Sequence, residues 1–349
     1  MRVEGSIGSL RRLGLPLAAV ALAGCEGPAS TLDPAGPGSA PITAVWWAMF
    51  WGSMAILIAM IALVLYAVYA PPHRRARVSG AVFIVGGGIV FPLTVVTALL
   101  VFGIFSGHAL LPLPTDRAVE RVEVVAHQWW WEIHYPEAAE DDTAAAQERP
   151  PLYTANELHI PVGRPVDIHL TSTDVIHAFW VPRLGGKIDA LPDRTNVLRI
   201  EADEPGVYHG QCAEFCGLQH ARMMLRVVAH DEEAYGDWLD GLETLAGSLP
   251  REEAAPDEER FQHGRDAFAE FCAECHSLDP AERSPVAPNL GNVFERERLG
   301  AGAIDMEPDG LVRWIADHQS YKPGNRMPVF DHLDDDTVGA VADYLKTDR

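Results

Sequence analysis

The 349-residue chain is long enough for two modest domains and further segments, and it carries a net charge of −22. This acidic balance argues against nucleic acid as a partner and favours basic proteins. The apolar residues crowd the first hundred positions, whereas acidic residues dominate the remainder. The composition therefore divides the chain into an apolar N-terminal part and an acidic C-terminal part.

The N-terminus has the pattern of a secretory signal. Three arginines precede a short apolar run that ends in small residues, which predicts a signal peptide over residues 1–24. Cys25 directly follows Leu-Ala-Gly and resembles the lipobox of bacterial lipoproteins, in which this cysteine is lipidated. A plain signal peptide or a short anchor helix is the alternative. Residues 25–41 are rich in Pro, Gly, Ser and Ala, which predicts a flexible tether.

Two apolar runs follow, over residues 42–70 and 80–106, and neither contains a charged residue. Each exceeds the ~20 residues that a helix needs to span a membrane. The connector over residues 71–79 carries three arginines, so the positive-inside rule places it in the cytoplasm. The sequence therefore predicts a two-helix transmembrane hairpin in a bacterial inner membrane. Both soluble domains are expected on the periplasmic side.

Residues 116–231 contain short β-branched runs, separated by Pro, Gly and Asp at intervals of about ten residues. This pattern is typical of an all-β sandwich or barrel. The acidic, alanine-rich stretch over residues 137–149 predicts a mobile loop within it.

The most informative segment of this β region holds two thiols, an imidazole and a thioether within twelve residues: Cys212, Cys216, His220 and Met223. This soft ligand mixture favours copper in electron transfer. Two cysteines also allow two copper ions to be bridged by both sulfur atoms. A disulfide in so short a loop would be strained, and a structural zinc site has no need of a methionine. Copper is therefore the favoured interpretation.

A second motif lies further along the chain, in a region predicted to be an all-α cytochrome c domain over residues 257–349. Cys272 and Cys275, followed by His276, form the Cys-x-x-Cys-His signature of covalent c-type haem attachment, with His276 as an axial ligand. Met327 follows 51 residues later and is the favoured opposite ligand. Met306 is the rival. An acidic, helical linker is predicted over residues 232–256.

The segments Ser172-Thr-Asp-Val-Ile-His177 and Leu184-Gly-Gly-Lys-Ile-Asp-Ala190, together with the cysteine motif, resemble cytochrome c oxidase subunit II of the haem–copper oxidases. The variant implied is the one with a fused C-terminal cytochrome c domain. This resemblance implies a cupredoxin-like fold and a dinuclear CuA centre. The implied side-chain ligands are His177, Cys212, Cys216, His220 and Met223.

The resemblance also implies roles for neighbouring residues. Glu214 would bind copper through its backbone carbonyl, and its carboxylate would help to bind magnesium at the border with the catalytic subunit. The family spacing selects Met223 rather than the adjacent Met224. Trp129 is the implied point of electron entry, and at least one of the three tryptophans at 129–131 should be exposed, because side chains alternate along a strand.

The implied function is electron transfer from external cytochrome c, or a quinol–cytochrome c reductase, through haem c and CuA. The acceptor would be subunit I of the oxidase, which reduces oxygen to water with further subunits in a lipid membrane. Two positions depart from the family: the second helix starts without the usual glutamate of a proton-uptake path, and Asp193 replaces a glycine. A nitric oxide reductase subunit and a free-standing tethered electron carrier remain alternatives.

Overall fold

The computed structural model describes residues 27–73, 80–108, 110–136, 150–307 and 309–347. The predicted signal peptide, Cys25 and the loop over residues 137–149 lie outside this part of the chain, as do most residues of the connector between the apolar runs.

Two long helices begin the described structure: α1 (Ala40–Tyr69) and α2 (Gly80–His108). Both have a mean hydropathy of 2.4 over their most apolar stretch, and their apolar side chains are largely exposed, as expected for a surface that contacts lipid. A π-helical turn over Gly86–Val90 interrupts α2 at its three glycines. The predicted pair of apolar helices is confirmed, with ends within two residues of the predicted ones.

Ten strands form the next domain, with these bounds: β1 (Glu120–His127), β2 (Trp130–Tyr135), β3 (Leu152–Ala155), β4 (Glu157–Pro161), β5 (Val166–Ser172), β6 (His177–Trp180), β7 (Lys187–Ala190), β8 (Asn196–Ile200), β9 (Gly206–Cys212) and β10 (Met224–His230). They make two five-stranded sheets, in the orders β3-β2-β1-β5-β8 and β4-β10-β9-β6-β7. Buried and less buried residues alternate along β5, so every second side chain enters the core between the sheets. The all-β, cupredoxin-like fold is confirmed.

The segment before α1 packs against this β domain. The backbone N–H of Ala35 donates to Arg183 O at 2.8 Å, and the Arg183 guanidinium lies 2.9 Å from Asp33. A Cβ at Gly36 or Gly38 would overlap a backbone carbonyl of the β domain. The glycines that predict a flexible tether thus also permit close packing, and here the segment lies on the domain surface.

The helix α3 (Glu232–Leu245) occupies the first half of the predicted linker. Its N-cap residue, Asp231, accepts a hydrogen bond from the backbone N–H of Ala234 at 2.9 Å. Leu242 is fully buried in the core of the β domain, and the Trp238 ring stacks on His159 with centroids 4.0 Å apart. This helix therefore extends the β domain and also leads towards the next one.

The C-terminal region is helical, with α4 (Glu258–Phe271), α5 (Gly310–Tyr321) and α6 (Asp335–Lys346). It also includes a short hairpin of two strands with two residues each, β11 (Arg298–Leu299) and β12 (Ile304–Asp305). Helices α4 and α6 cross closely at Gly264. The crossing is possible because glycine has no Cβ, which would overlap the Ala340 carbonyl here. The Tyr344 ring packs on Phe261 and Phe268 at the same crossing. The predicted helical domain is confirmed.

Asp193 has a φ of 58°, in the left-handed region of backbone conformation. Glycine adopts this region freely, and aspartate tolerates it better than most other residues do. Aspartate therefore occupies a position whose backbone conformation favours glycine.

The β domain and the helical domain are joined by direct contacts centred on the buried Glu132. Its carboxylate binds Arg283 at 2.6 and 3.0 Å and lies 2.8 Å from His127 Nε2. Nearby, Tyr153 N donates to Pro280 O at 2.7 Å. Burial by itself would raise the pKa of Glu132, but the hydrogen bonds to His127 and Arg283 outweigh burial and lower it. The ionised form is therefore the one that stabilises the interface.

We predict that Glu132→Gln lowers the free energy of unfolding at pH 7 by about 1–3 kcal/mol, because a charge-assisted contact is lost while half-exposed Arg283 stays partly hydrated. Since the folded-state pKa of Glu132 is lowered, its contribution exists above the unfolded pKa and disappears as pH falls through the folded pKa. Urea unfolding of the full chain at pH 7 and in acid measures this difference. The exposed Glu282→Gln serves as the control. Equal losses in both variants, or a Glu132 effect that does not shrink in acid, would contradict the assignment.

Candidate metal centre and haem site

The ends of β6, β9 and β10 bring the predicted copper ligands together. The two thiol sulfur atoms, of Cys212 and Cys216, lie 3.8 Å apart. Nδ1 of His177 lies 3.9 Å from Cys212 Sγ, and Nδ1 of His220 lies 3.7 Å from Cys216 Sγ. Met223 Sδ lies 3.9 Å from Cys216 Sγ. The side chains of His177 at the start of β6, Cys212 at the end of β9, and three residues of the loop between β9 and β10 thus converge on one buried pair of sulfur atoms.

The backbone carbonyl of Glu214 lies 3.2 Å from Cys212 Sγ, while its carboxylate side chain is exposed. Met223 is fully buried beside the thiols, whereas Met224 is 40% exposed and its backbone N–H donates to Ala301 O of the helical domain. The structure therefore brings all six predicted copper ligands into one cluster and leaves Met224 outside it.

The donor chemistry of this cluster fits copper. The four cysteines that the structure describes are free thiols, and a sulfur separation of 3.8 Å is far from the ~2.05 Å of a disulfide. The contact between the two buried thiols lowers the pKa of Cys212 and raises that of Cys216, so the pair has one readily ionised thiol. Thiolate is the form that binds metal, and sulfur with imidazole favours copper.

Asp174 orients one of the imidazoles. Its carboxylate lies 2.8 Å from His177 Nε2 and accepts backbone N–H groups of Gln128 and Val175, each at 2.7 Å. Because Nε2 is held in this way, Nδ1 is the nitrogen that faces the thiol of Cys212. Asp174 is not among the site residues predicted from the sequence, although its place three residues before His177 is a signal that could have found it.

The three consecutive tryptophans have different environments. Trp131 is fully buried, and its ring packs edge-on against Phe179 at 5.7 Å. Trp129 and Trp130 are half-buried, so the prediction that at least one of the three is exposed is wrong. The Trp130 ring stacks on His127, with centroids 4.2 Å apart, and Trp129 contacts the copper loop. The Trp129 indole N–H donates to the Cys216 backbone carbonyl at 2.9 Å. The predicted electron-entry residue is therefore in direct contact with the copper loop.

The Cys-x-x-Cys-His motif forms a turn at the end of α4. Cys275 N and His276 N both donate to the Cys272 carbonyl, at 3.1 and 3.0 Å. His276 Nδ1 donates to Pro288 O at 2.7 Å, which leaves Nε2 available to bind iron. Burial lowers the pKa of His276, so the ring is held in the neutral form that a metal requires. The residues present therefore fit a covalently attached haem.

Met327 is half-buried in a loop between α5 and α6 that two neighbours hold in place. Its backbone N–H donates to Asn325 Oδ1 at 3.0 Å, and Asn325 Nδ2 donates to His318 Nδ1 at 2.9 Å. His318 is itself buried and donates through Nε2 to Pro328 O at 2.9 Å. This supporting histidine is not among the residues predicted from the sequence. Met306, the rival ligand, lies just after β12 and is also half-buried.

Two protein families match this chain. Residues 121–230 match the family "Cytochrome C oxidase subunit II, periplasmic domain", and residues 261–348 match the family "Cytochrome c".

Curated relatives named cytochrome c oxidase subunit 2 include one from Alkalihalophilus pseudofirmus, 35% identical over 65% of this chain and 60% of the relative. Another, from Bacillus sp. strain PS3, is 30% identical over 72% of this chain and 69% of the relative. A crystal structure of the periplasmic domain of cytochrome oxidase subunit II from Bradyrhizobium japonicum is 27% identical, with a TM-score of 0.31, over 38% of this chain and 98% of that one.

Fold and motifs together define a membrane-anchored protein with a cupredoxin-like domain and a c-type cytochrome domain. The chain belongs to the cytochrome c oxidase subunit II family. It spans about 60% of the length of the first of these relatives.

We predict that Met327→Leu lowers the reduction potential of the haem, because a thioether opposite histidine raises that potential. The absorbance of the copper centre should stay intact, since Met327 is not among the residues around the thiols. Redox titration of the purified full chain measures both properties, with Met306→Leu as the matched control. A haem potential that falls in the Met306 variant but not in the Met327 variant would reverse the ligand assignment.

Proposed function

We propose that this chain is the electron-transfer subunit of a terminal respiratory oxidase. Its cytochrome c domain accepts electrons from an external donor, and its cupredoxin domain passes them to a haem–copper catalytic subunit that reduces oxygen to water. The proposed ligands of a dinuclear CuA centre are His177, Cys212, Glu214 (carbonyl), Cys216, His220 and Met223. Cys272 and Cys275 are the proposed haem attachment sites, with His276 and Met327 as axial ligands. When bound, copper and haem iron supply the one-electron redox chemistry.

The observation that carries this proposal is the contact between the two redox domains. Lys322, five residues before Met327, donates to Trp129 O at 2.7 Å, and Trp129 in turn donates to the Cys216 carbonyl. The side-chain amide of Gln219, in the copper loop, donates to Pro323 O. The loop that carries the proposed haem ligand therefore touches the loop that carries a copper ligand, as direct transfer between the two sites requires.

The protein's own residues hold proposed ligands in place at both sites. Met223 and His177 are fully buried at the copper cluster, so water is excluded from these two side chains. Asp174 fixes one imidazole, and Pro288 fixes the haem-ligating one. Rigid ligands reduce the structural change that accompanies oxidation and reduction, which favours fast electron transfer.

An exposed apolar patch beside the copper loop supports a large partner. It consists of side chains that are 39–75% exposed: Val175, Ile176, Phe215 and Leu218. Each lies within two residues of a proposed copper ligand in the chain, and exposed apolar side chains around a site are typical of protein contact sites. The exposed carboxylate of Glu214 lies next to the patch. This arrangement supports docking of the catalytic subunit there, with a magnesium ion shared at the border.

The proposed location is the bacterial inner membrane, with both soluble domains in the periplasm and Cys25 lipidated. The arginine-rich connector between α1 and α2 supports this orientation through the positive-inside rule. The acidic surface favours a basic external donor, such as cytochrome c, or docking to a quinol–cytochrome c reductase.

A second candidate is the electron-delivery subunit of a nitric oxide reductase-type complex. The observation in its favour is the start of the second helix, Gly80-Ala-Val-Phe, which has no acidic residue for proton uptake. Electron delivery to oxygen is the stronger proposal, because the whole β domain matches the oxidase family.

We predict that the affinity-tagged chain co-purifies from membranes with a larger haem-bearing subunit, and that the complex consumes oxygen when supplied with reduced cytochrome c. The double substitution Cys212→Ser and Cys216→Ser should abolish consumption, because it removes both thiolates. Consumption of nitric oxide without oxygen uptake would select the second candidate. Purification without any haem-bearing partner would defeat the subunit proposal.

A further inference from the structure

Lys322 is a buried cation at the boundary between the two redox domains. It is only 3% exposed, and lysine is rarely buried so fully unless it is paired. No carboxylate forms an ion pair with it in the part of the chain that the structure describes. Its Nζ instead donates to two backbone carbonyls, Trp129 O at 2.7 Å and Gly300 O at 2.8 Å. Burial of an amine is costly, so its retention here requires these two bonds.

The two carbonyls belong to different domains. Trp129 follows β1 in the cupredoxin-like domain, whereas Gly300 follows β11 in the cytochrome domain. One amine therefore bridges the domains, and it does so next to the copper loop, because the Trp129 indole donates to Cys216 O at 2.9 Å. The path from Lys322 through Trp129 to Cys216 consists of consecutive direct contacts.

The segment after Lys322 lies against the same surface. Gly324 has a φ of 76°, and a Cβ at this position would overlap the side chain of Leu218 in the copper loop. The Arg326 guanidinium donates to the side-chain carbonyl of Gln128. Residues 322–326, which directly precede Met327, are therefore held against the copper loop and the turn between β1 and β2.

The bonds of Lys322 do not depend on its charge. Burial lowers the pKa of Lys322 to about 7, and the positive charge of Arg222 adds to this shift. A neutral amine still has two N–H groups, one for each carbonyl, so both bonds can be kept in either protonation state.

We propose that Lys322 is a positioning residue, which fixes the segment carrying Met327 against Trp129 and the copper loop and so holds the two redox sites at one separation. This inference rests on the proposed function. The step that it supports moves one electron from ferrous haem to the oxidised copper centre. The iron loses one electron and the copper centre gains it, and no bond forms or breaks.

The test compares three variants of the full-length, cofactor-loaded protein. Lys322→Met removes the N–H donors at similar length, Lys322→Arg keeps donors, and the exposed Lys346→Met is the control. Flash photoreduction of the haem, followed by absorbance of the copper centre, gives the rate of transfer within the chain. We expect Lys322→Met to slow this rate by about tenfold or more, because small misplacements of reacting groups are costly. Lys322→Arg should recover most of the rate, and Lys346→Met should leave it unchanged.

A second readout needs no electron transfer. Hydrogen exchange of the backbone amides over residues 126–131 and 318–328 should be faster in Lys322→Met than in the Lys322→Arg and Lys346→Met variants, while the haem potential stays the same.

An electron-transfer rate in Lys322→Met that is within twofold of the parent protein's overturns the inference. An electron-transfer rate in Lys322→Arg that is as slow as in Lys322→Met also overturns it. Loss of haem or copper absorbance in both Lys322 variants also overturns it, since Lys322 would then serve folding. If the parent protein shows no transfer from haem to copper, the proposed function fails. Hydrogen exchange then still tests the positioning role of Lys322 separately.

Discussion

Basic side chains of the cytochrome domain reach polar groups of the β domain, and this seam of contacts determines how the two redox sites face each other. Arg283 binds the buried carboxylate of Glu132, and Lys322 binds the carbonyl of Trp129. Glu132 and Lys322 are both buried at this seam and have their partners across it, so separating the domains would leave these groups unpaired at a substantial free-energy cost. The cytochrome domain is therefore a fixed part of the molecule. A domain joined only by a flexible linker would have no such contacts.

The β sandwich provides the other constraint. Its strand ends place Cys212 and His177 on neighbouring strands, and the loop to β10 returns Cys216 and Met223 to the same point. The sheets keep these side chains in fixed positions, because each strand is held by its ladder and by the core. Electron transfer needs little motion of the ligands, so a rigid β scaffold suits it. The two apolar helices then keep this assembly at the membrane, where a catalytic partner would lie.

Much of the site could be predicted from the sequence, because its chemistry is local in the chain. Cys212, Cys216 and the Cys-x-x-Cys-His motif each lie within a few residues, so their spacing alone indicates a metal or a haem. The seam could not be predicted in this way, since Arg283 and Glu132 are 151 positions apart, and Lys322 and Trp129 are 193 apart. Neither periodicity nor composition records such pairings. Composition also described residues 25–41 as a flexible tether, although its glycines permit close packing as well as flexibility.

The contacts between the two domains should hold the two proposed redox sites at one fixed separation within a single chain. Pulsed EPR on the fully oxidised full-length protein measures this separation most directly, because ferric haem and an oxidised copper centre are both paramagnetic and report the distribution of distances between them. A single narrow distribution, the same at low and high salt, is the predicted result, since the contacts at the seam are largely buried and only weakly screened. A broad distribution, or one that shifts to longer distances in salt, would contradict a fixed domain arrangement.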